Sequence, residues 1–134
     1  MIKIQKEEFN IEKEINFLKL KYSNIGAVST FIGYVRNINN SKKVKSINIE
    51  VYEKMAIKSL STICEKAHQK WNIVDSLIIH RYGSLAVNEK IVLVATFSIH
   101  RKDSMESCNY IMEYLKREAP FWKKEIYEKN SAWL

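Results

Sequence analysis

What this chain has little of narrows it before any motif does. Its 134 residues include one proline, three glycines and two cysteines. No apolar run approaches the ~20 residues that a membrane span needs. The opening "MIKIQKEEFNIEKE" is charged and lacks the apolar core of a signal peptide. The expectation is a cytoplasmic protein with no membrane partner. Cys64 and Cys108 show no paired spacing of the metal or redox kind, so both are expected to be reduced. There is no glycine-rich phosphate loop and no nucleophile elbow. With no His-x-x-x-His and no carboxylate at ligand spacing, no metal is expected. Repeats, low-complexity segments and linkers are missing too. The length then suggests one domain with a real core.

Arginine is also scarce. The net charge is +7, yet of 22 basic residues only Arg36, Arg81, Arg101 and Arg117 are arginine. Lysine supplies the rest, spread along the chain, and much of that basicity reads as compositional background. A basic surface still favours an anionic partner: nucleic acid, a phosphorylated small molecule or an acidic protein. Three of the arginines share a setting. Arg36 closes "TFIGYVRN", Arg81 closes "LIIHR" and Arg101 closes "TFSIHR", each where a strand gives way to a loop. A shared rim would follow, with Arg101 and His100 beside a helix start suited to phosphate. The alternative for each is an arginine paired with a nearby carboxylate.

The apolar content of 46% and charged content of 28% are ordinary for a globular protein. A short strand is expected at Ile2–Ile4. Asn10 can cap a helix whose Ile11, Ile15 and Leu18 recur at helical spacing. "GAVSTFIGYVRN" reads as a strand, in which Gly33 hints at a bulge or a close ligand approach. "NINNSKKVK" reads as a polar turn and "SINIEVYE" as a partnered strand. A helix from about Lys54 to Trp71 has Ala56, Leu60, Ile63, Ala67 and Trp71 on one face. "VDSLIIHRYG" is a strand ending in a turn at Gly83, and "EKIVLVATFSIHR" is a long buried strand. Asp103 with Glu106 makes a capping box for a helix whose Met105, Cys108, Met112 and Leu115 face inward. Pro120 ends it, and "FWKKEIYE" is the final strand. The mixture of helices and hairpin-like neighbours predicts an α+β domain with a mainly antiparallel sheet.

"YLKREAPFWKKE" surrounds the only proline with lysines and large rings. Apolar rings beside an amine lower the local dielectric and make it easier to deprotonate. The plainer reading is a helix end followed by an amphipathic strand whose lysines face water. The chain as a whole settles on a pattern: "GAVSTFIGYVRN", "HRYGSLAVNEKIVLVATFSIHR", "YLKREAPFWKKE" and the terminal "W-L" resemble the large, catalytic subunit of molybdopterin synthase. The match runs from about Gly26 to Trp133. The resemblance implies a single domain over residues 1–134, similar to an α/β hammerhead with packed helices. It implies a homodimer with a small ubiquitin-like sulfur-carrier subunit at each end, a heterotetramer overall. The carrier's C-terminal glycine thiocarboxylate would donate sulfur to cyclic pyranopterin monophosphate (precursor Z), forming the dithiolene of molybdopterin. No tightly bound cofactor is implied. By position Lys116 matches the principal catalytic lysine and Lys123 a second functional lysine. Arg36, with Tyr34 and Val35, matches a substrate-binding strand end. His100 and Arg101 match a substrate-binding pair contributed across the dimer interface. Lys124 and Glu125 complete the segment that lines the site. The competing reading is a basic nucleic-acid-binding module, supported by the charge, the "NNSKKVK" loop and seven tyrosines, but lacking any nucleic-acid motif.

Overall fold

The computed structural model describes residues 1–128 and 131–134. In chain order the elements are β1 (Ile2–Gln5), α1 (Ile11–Lys19), β2 (Ala27–Tyr34), β3 (Ile38–Asn39), β4 (Lys42–Val51) and α2 (Glu53–Lys70). There follow β5 (Ile73–Arg81), β6 (Gly83–Ala86), β7 (Lys90–Ser98), α3 (Arg101–Glu118), β8 (Phe121–Tyr127) and β9 (Ser131–Trp133). One sheet has the order β1-β5-β7-β2, with only β1–β5 parallel. The second runs β3-β4-β8-β9, with β6 on the free side of β4, and is antiparallel throughout. The architecture is α+β, as the order of elements predicts.

The first sheet is buried on both faces, and β7 shows why its sequence reads as one apolar run. Side chains alternate across a strand. Val92 and Val94 join Ile78 of β5 against α2 and α3, in a core with Leu60, Ile63, Ala67, Cys108 and Ile111. Leu93, Ala95 and Phe97 join Leu77 and Ile79 on the opposite face, against Phe9 and Leu18. Trp71 ties the two long helices together. Its ring lies 5.1 Å from that of Tyr110, and its Nε1 donates to Glu106 at 3.3 Å.

Asn10 caps α1 as expected, accepting from the Lys13 amide at 3.0 Å. The cap of α3 is different. His100 is the N-cap residue, with no side-chain cap bond, and Asp103 already lies in the first helical turn. The capping box fails because a cap needs extended backbone, which His100 has and Asp103 lacks. Met105 is also misjudged: it is 63% exposed, at the mouth of a cavity rather than in the core. Gly83 does adopt the left-handed φ of 90° that a turn signal implies, but it opens β6 instead of ending a strand. The polar "NINNSKKVK" is a tight hairpin. Asn40 (φ 50°) and Ser41 (φ 66°) form the turn between β3 and β4. The expected bulge is present, since the β2–β7 register shifts between Gly33 and Tyr34.

Candidate functional site

A cavity of about 1100 Å³ opens between α3, β2 and the start of β8. Pro120 creates it. Proline disfavours helical backbone in the residue before it, and Ala119 is accordingly extended (φ −70°, ψ 140°). The Phe121 amide then donates to Ala119 O at 2.8 Å, so the chain turns sharply into β8. Lys116 from the last turn of α3 and Lys123 from β8 both line the cavity. Strand alternation puts Phe121 with Lys123 on the cavity side, while Trp122 projects outward and is half-exposed. Tyr34 and Arg36 line the wall at the end of β2, and Gly33 leaves that wall open: a Cβ there would stand 3.0 Å from Val92 Cγ1. Among the described residues no carboxylate lies within ion-pair distance of Arg36, Lys116 or Lys123. The cavity therefore gathers three cationic groups with a shared use for negative charge.

Burial lowers the pKa of the Lys123 amine. Its neighbour His80 is 2% exposed and stacks on Phe121, ring centroids 3.7 Å apart and planes 15° from parallel. Burial pushes the imidazole down to about 3; the Arg81 carbonyl opposes the shift and the Lys123 charge adds to it. The ring is neutral. Its Nδ1 donates to Arg81 O at 2.8 Å, which leaves Nε2 as an acceptor. His80 lines the cavity, a placement that the sequence signals only as the "HR" pair that closes β5. The α3 residues Asn109, Met112 and Glu113 also line it. Their spacing with Met105 and Lys116 is a helical stripe (i, i+4, i+7, i+8, i+11), legible once the cavity side is known.

The other expected site residues lie elsewhere. Val35 is buried in the core, and its backbone bonds both Glu89 and Asn88. Lys124 points to the other face of β8, its Nζ 5.4 Å from the ring centre of Trp133. Glu125 shares the face of Lys123 but is buried, accepting from Asn39 Nδ2 at 2.7 Å and Tyr127 Oη at 2.8 Å. The shared arginine rim does not form within one chain. Arg81 is 5% exposed and is spent on carbonyls, Nε and Nη2 on Lys6 O and Nη1 on Lys90 O. His100 and Arg101 sit at the N-terminus of α3, whereas Lys116 sits near its C-terminus. At 1.5 Å per residue the fifteen residues from Arg101 to Lys116 span about 22 Å.

An α+β domain with an amine- and guanidinium-lined cavity at a helix end defines a class: a protein whose cavity suits an anionic ligand. The chain belongs to the MoaE protein family, whose model matches residues 4–118. It is 43% identical to the molybdopterin synthase catalytic subunit of Ralstonia nicotianae, over 99% of this chain and 76% of that one. Molybdopterin synthase from Staphylococcus aureus has a similar crystal structure (TM-score 0.91, 35% identity, 98% of this chain and 95% of that one). A Helicobacter pylori chain, solved as a protein–protein complex of subunits 1 and 2 of molybdopterin-converting factor, shares the fold. Its TM-score is 0.82 at 20% identity, covering 98% of this chain and 88% of that one.

Proposed function

We propose that this chain is the sulfur-transferring catalytic subunit of a molybdopterin synthase. It would act in the cytoplasm, without a tightly bound cofactor, on cyclic pyranopterin monophosphate. The observation that carries the reading is the convergence of Lys116, Lys123 and Arg36 on one cavity, in a chain of the MoaE family. The sulfur donor is a small carrier subunit ending in a glycine thiocarboxylate, and the Helicobacter chain of the same fold is described in complex with its companion subunit. A thiocarboxylate is already nucleophilic. Its sulfur supplies the electron pair for the new C–S bond as a C–O bond at the same pterin side-chain carbon breaks and that oxygen departs. Water then cleaves the acyl C–S bond to the carrier, which leaves as a carboxylate. The protein's share is to orient the reactants, hold their negative charge and move protons at the pterin carbons.

The two lysines divide that work by environment. Lys116, exposed at the end of α3, meets the incoming reactant as general acid and base. Lys123, half-buried and depressed in pKa by that burial, is the amine more readily found neutral. Arg36 takes the monophosphate. His100 and Arg101 would serve the cavity of a second subunit, which fits their distance from Lys116 in their own chain. The nucleic-acid reading falls behind because the chain belongs to the MoaE family and carries no nucleic-acid motif. Reconstitution with thiocarboxylated carrier and precursor, assaying for molybdopterin, tests the proposal. A folded Lys116→Ala variant that turns over like wild type would remove that residue from the mechanism.

A further inference from the structure

Glu125 belongs to the strand that carries Lys123, yet it does not line the cavity. It is 3% exposed, with Oε1 accepting from both Asn39 and Tyr127. A buried carboxylate supplied in this way is a fixed point in the structure. Asn39 uses its other amide atom on Arg36: Oδ1 accepts from Nη2 at 3.2 Å. Only Nδ2 can donate to a carboxylate and only Oδ1 can accept from a guanidinium, so the two partners fix the amide's orientation. Asn39 thus links a buried anchor to a guanidinium that lines the cavity.

The backbone explains how the link is held. Asn39 pairs with Lys42 across the Asn40–Ser41 turn, whose two left-handed residues fix the hairpin register. The same β4 then pairs with β8, setting Val44 opposite Tyr127 and Ile47 opposite Glu125. Register alone therefore brings β3 over the buried carboxylate.

We propose that Asn39, clamped by a Glu125 carboxylate that Tyr127 also holds, is a positioning residue that aims the Arg36 guanidinium into the cavity to receive the substrate's phosphate. The identity of that anion rests on the proposed function; the clamp does not. An arginine has many rotamers to lose on binding, and a tethered one has lost them before the ligand arrives. One guanidinium edge is held by a single bond, and its remaining N–H groups stay available for a bidentate anion contact. The neutral amide matters here. A carboxylate placed directly on Arg36 would offset the charge that attracts the anion, whereas an amide spacer holds the group and leaves more of that charge in force.

Two measurements test this. Side-chain ¹⁵N relaxation of Arg36 needs no substrate. It should report an ordered guanidinium in the free wild type and a mobile one in Asn39→Ala. The strand-favouring Asn39→Thr repeats the test if alanine loosens the hairpin. Calorimetry should show precursor affinity falling about tenfold in Asn39→Ala, and falling no further when Asn39→Ala is added to Arg36→Ala. An Arg36 as ordered in both Asn39 variants as in wild type overturns the clamp, and so does an Asn39 effect that persists undiminished without Arg36. A wild type that takes no precursor sinks the proposed function instead, and the relaxation measurement still decides the clamp.

Discussion

At the scale of the residue, two amines of one type occupy different environments in one cavity. Lys116 is exposed; Lys123 is half-buried, and its pKa is lowered by that burial. Lys116→Ala should lower turnover by about 10²–10⁴-fold in a folded protein, the usual worth of a positioned acid or base. Lys123 carries a stability cost as well. Its folded pKa lies below the ordinary 10.5, so between those two values the unfolded chain binds more protons and stability rises with pH. Lys123→Met should therefore raise the melting temperature at neutral pH by about 2–4 °C, and the gain should shrink as the pH approaches 10.5. Thermal scans from pH 7 to 10 would show a pH-independent difference if burial were not the cause. His80 works in the acid range. Its folded value of about 3 lies below the ordinary 6.5, so its contribution is whole above pH 6.5 and is lost as the pH falls toward 3. The slope is up to about 1.4 kcal/mol per pH unit. His80→Asn should flatten that slope in urea titrations, even though it also loses the stack on Phe121. The thiols stand aside. Burial pushes Cys108 up to about 11 and also raises Cys64, and buried thiols of this kind are poor nucleophiles. The Cys64→Ala/Cys108→Ala variant should keep most of its turnover with a thiocarboxylated carrier. A persulfide mass on the wild-type protein, with loss of transfer in the folded double variant, would move the chemistry to a thiol.

At the scale of the element, the site depends on where α3 stops. Pro120→Ala removes the bias that keeps Ala119 extended and should let the helix run on, displacing Lys123. Turnover should fall by about 10²-fold, since misplacement of this order is costly, while circular dichroism reports slightly more helix. The helix-to-strand break was legible because one proline among lysines and rings has few readings. So was the cap at Asn10, a local matter of one side chain and one amide. The start of α3 was not legible from Asp103 and Glu106, because a capping box identifies a pattern and not which residue stays extended. Met105 was read as core because helical spacing shows a face without showing what covers it. The short β3, β6 and β9 were missed for a different reason. Two to four residues carry too little periodicity to read, and β6 in addition pairs with a strand distant in sequence.

At the scale of the whole molecule, α3 separates two groups that the family resemblance assigns to one site: His100 and Arg101 at its start, Lys116 near its end. Sequence places each residue on its element. It could not say that the strand-end arginines lie at opposite ends of an antiparallel sheet, because pairing of β2 with β7 decides that. A site completed by a second subunit reconciles the separation. Co-refolding Arg101→Ala with Lys116→Ala should then restore turnover, since one of the two sites in each mixed dimer carries both native groups. Random pairing should restore about a quarter of the wild-type rate, and mixed dimers that stay inactive would favour a site built within one chain. The most direct test of the central claim uses the wild-type chain. Incubated with a thiocarboxylated carrier subunit and cyclic pyranopterin monophosphate, it should form molybdopterin while the carrier returns to its carboxylate form. A folded chain that binds both reactants and leaves the thiocarboxylate intact would contradict the account.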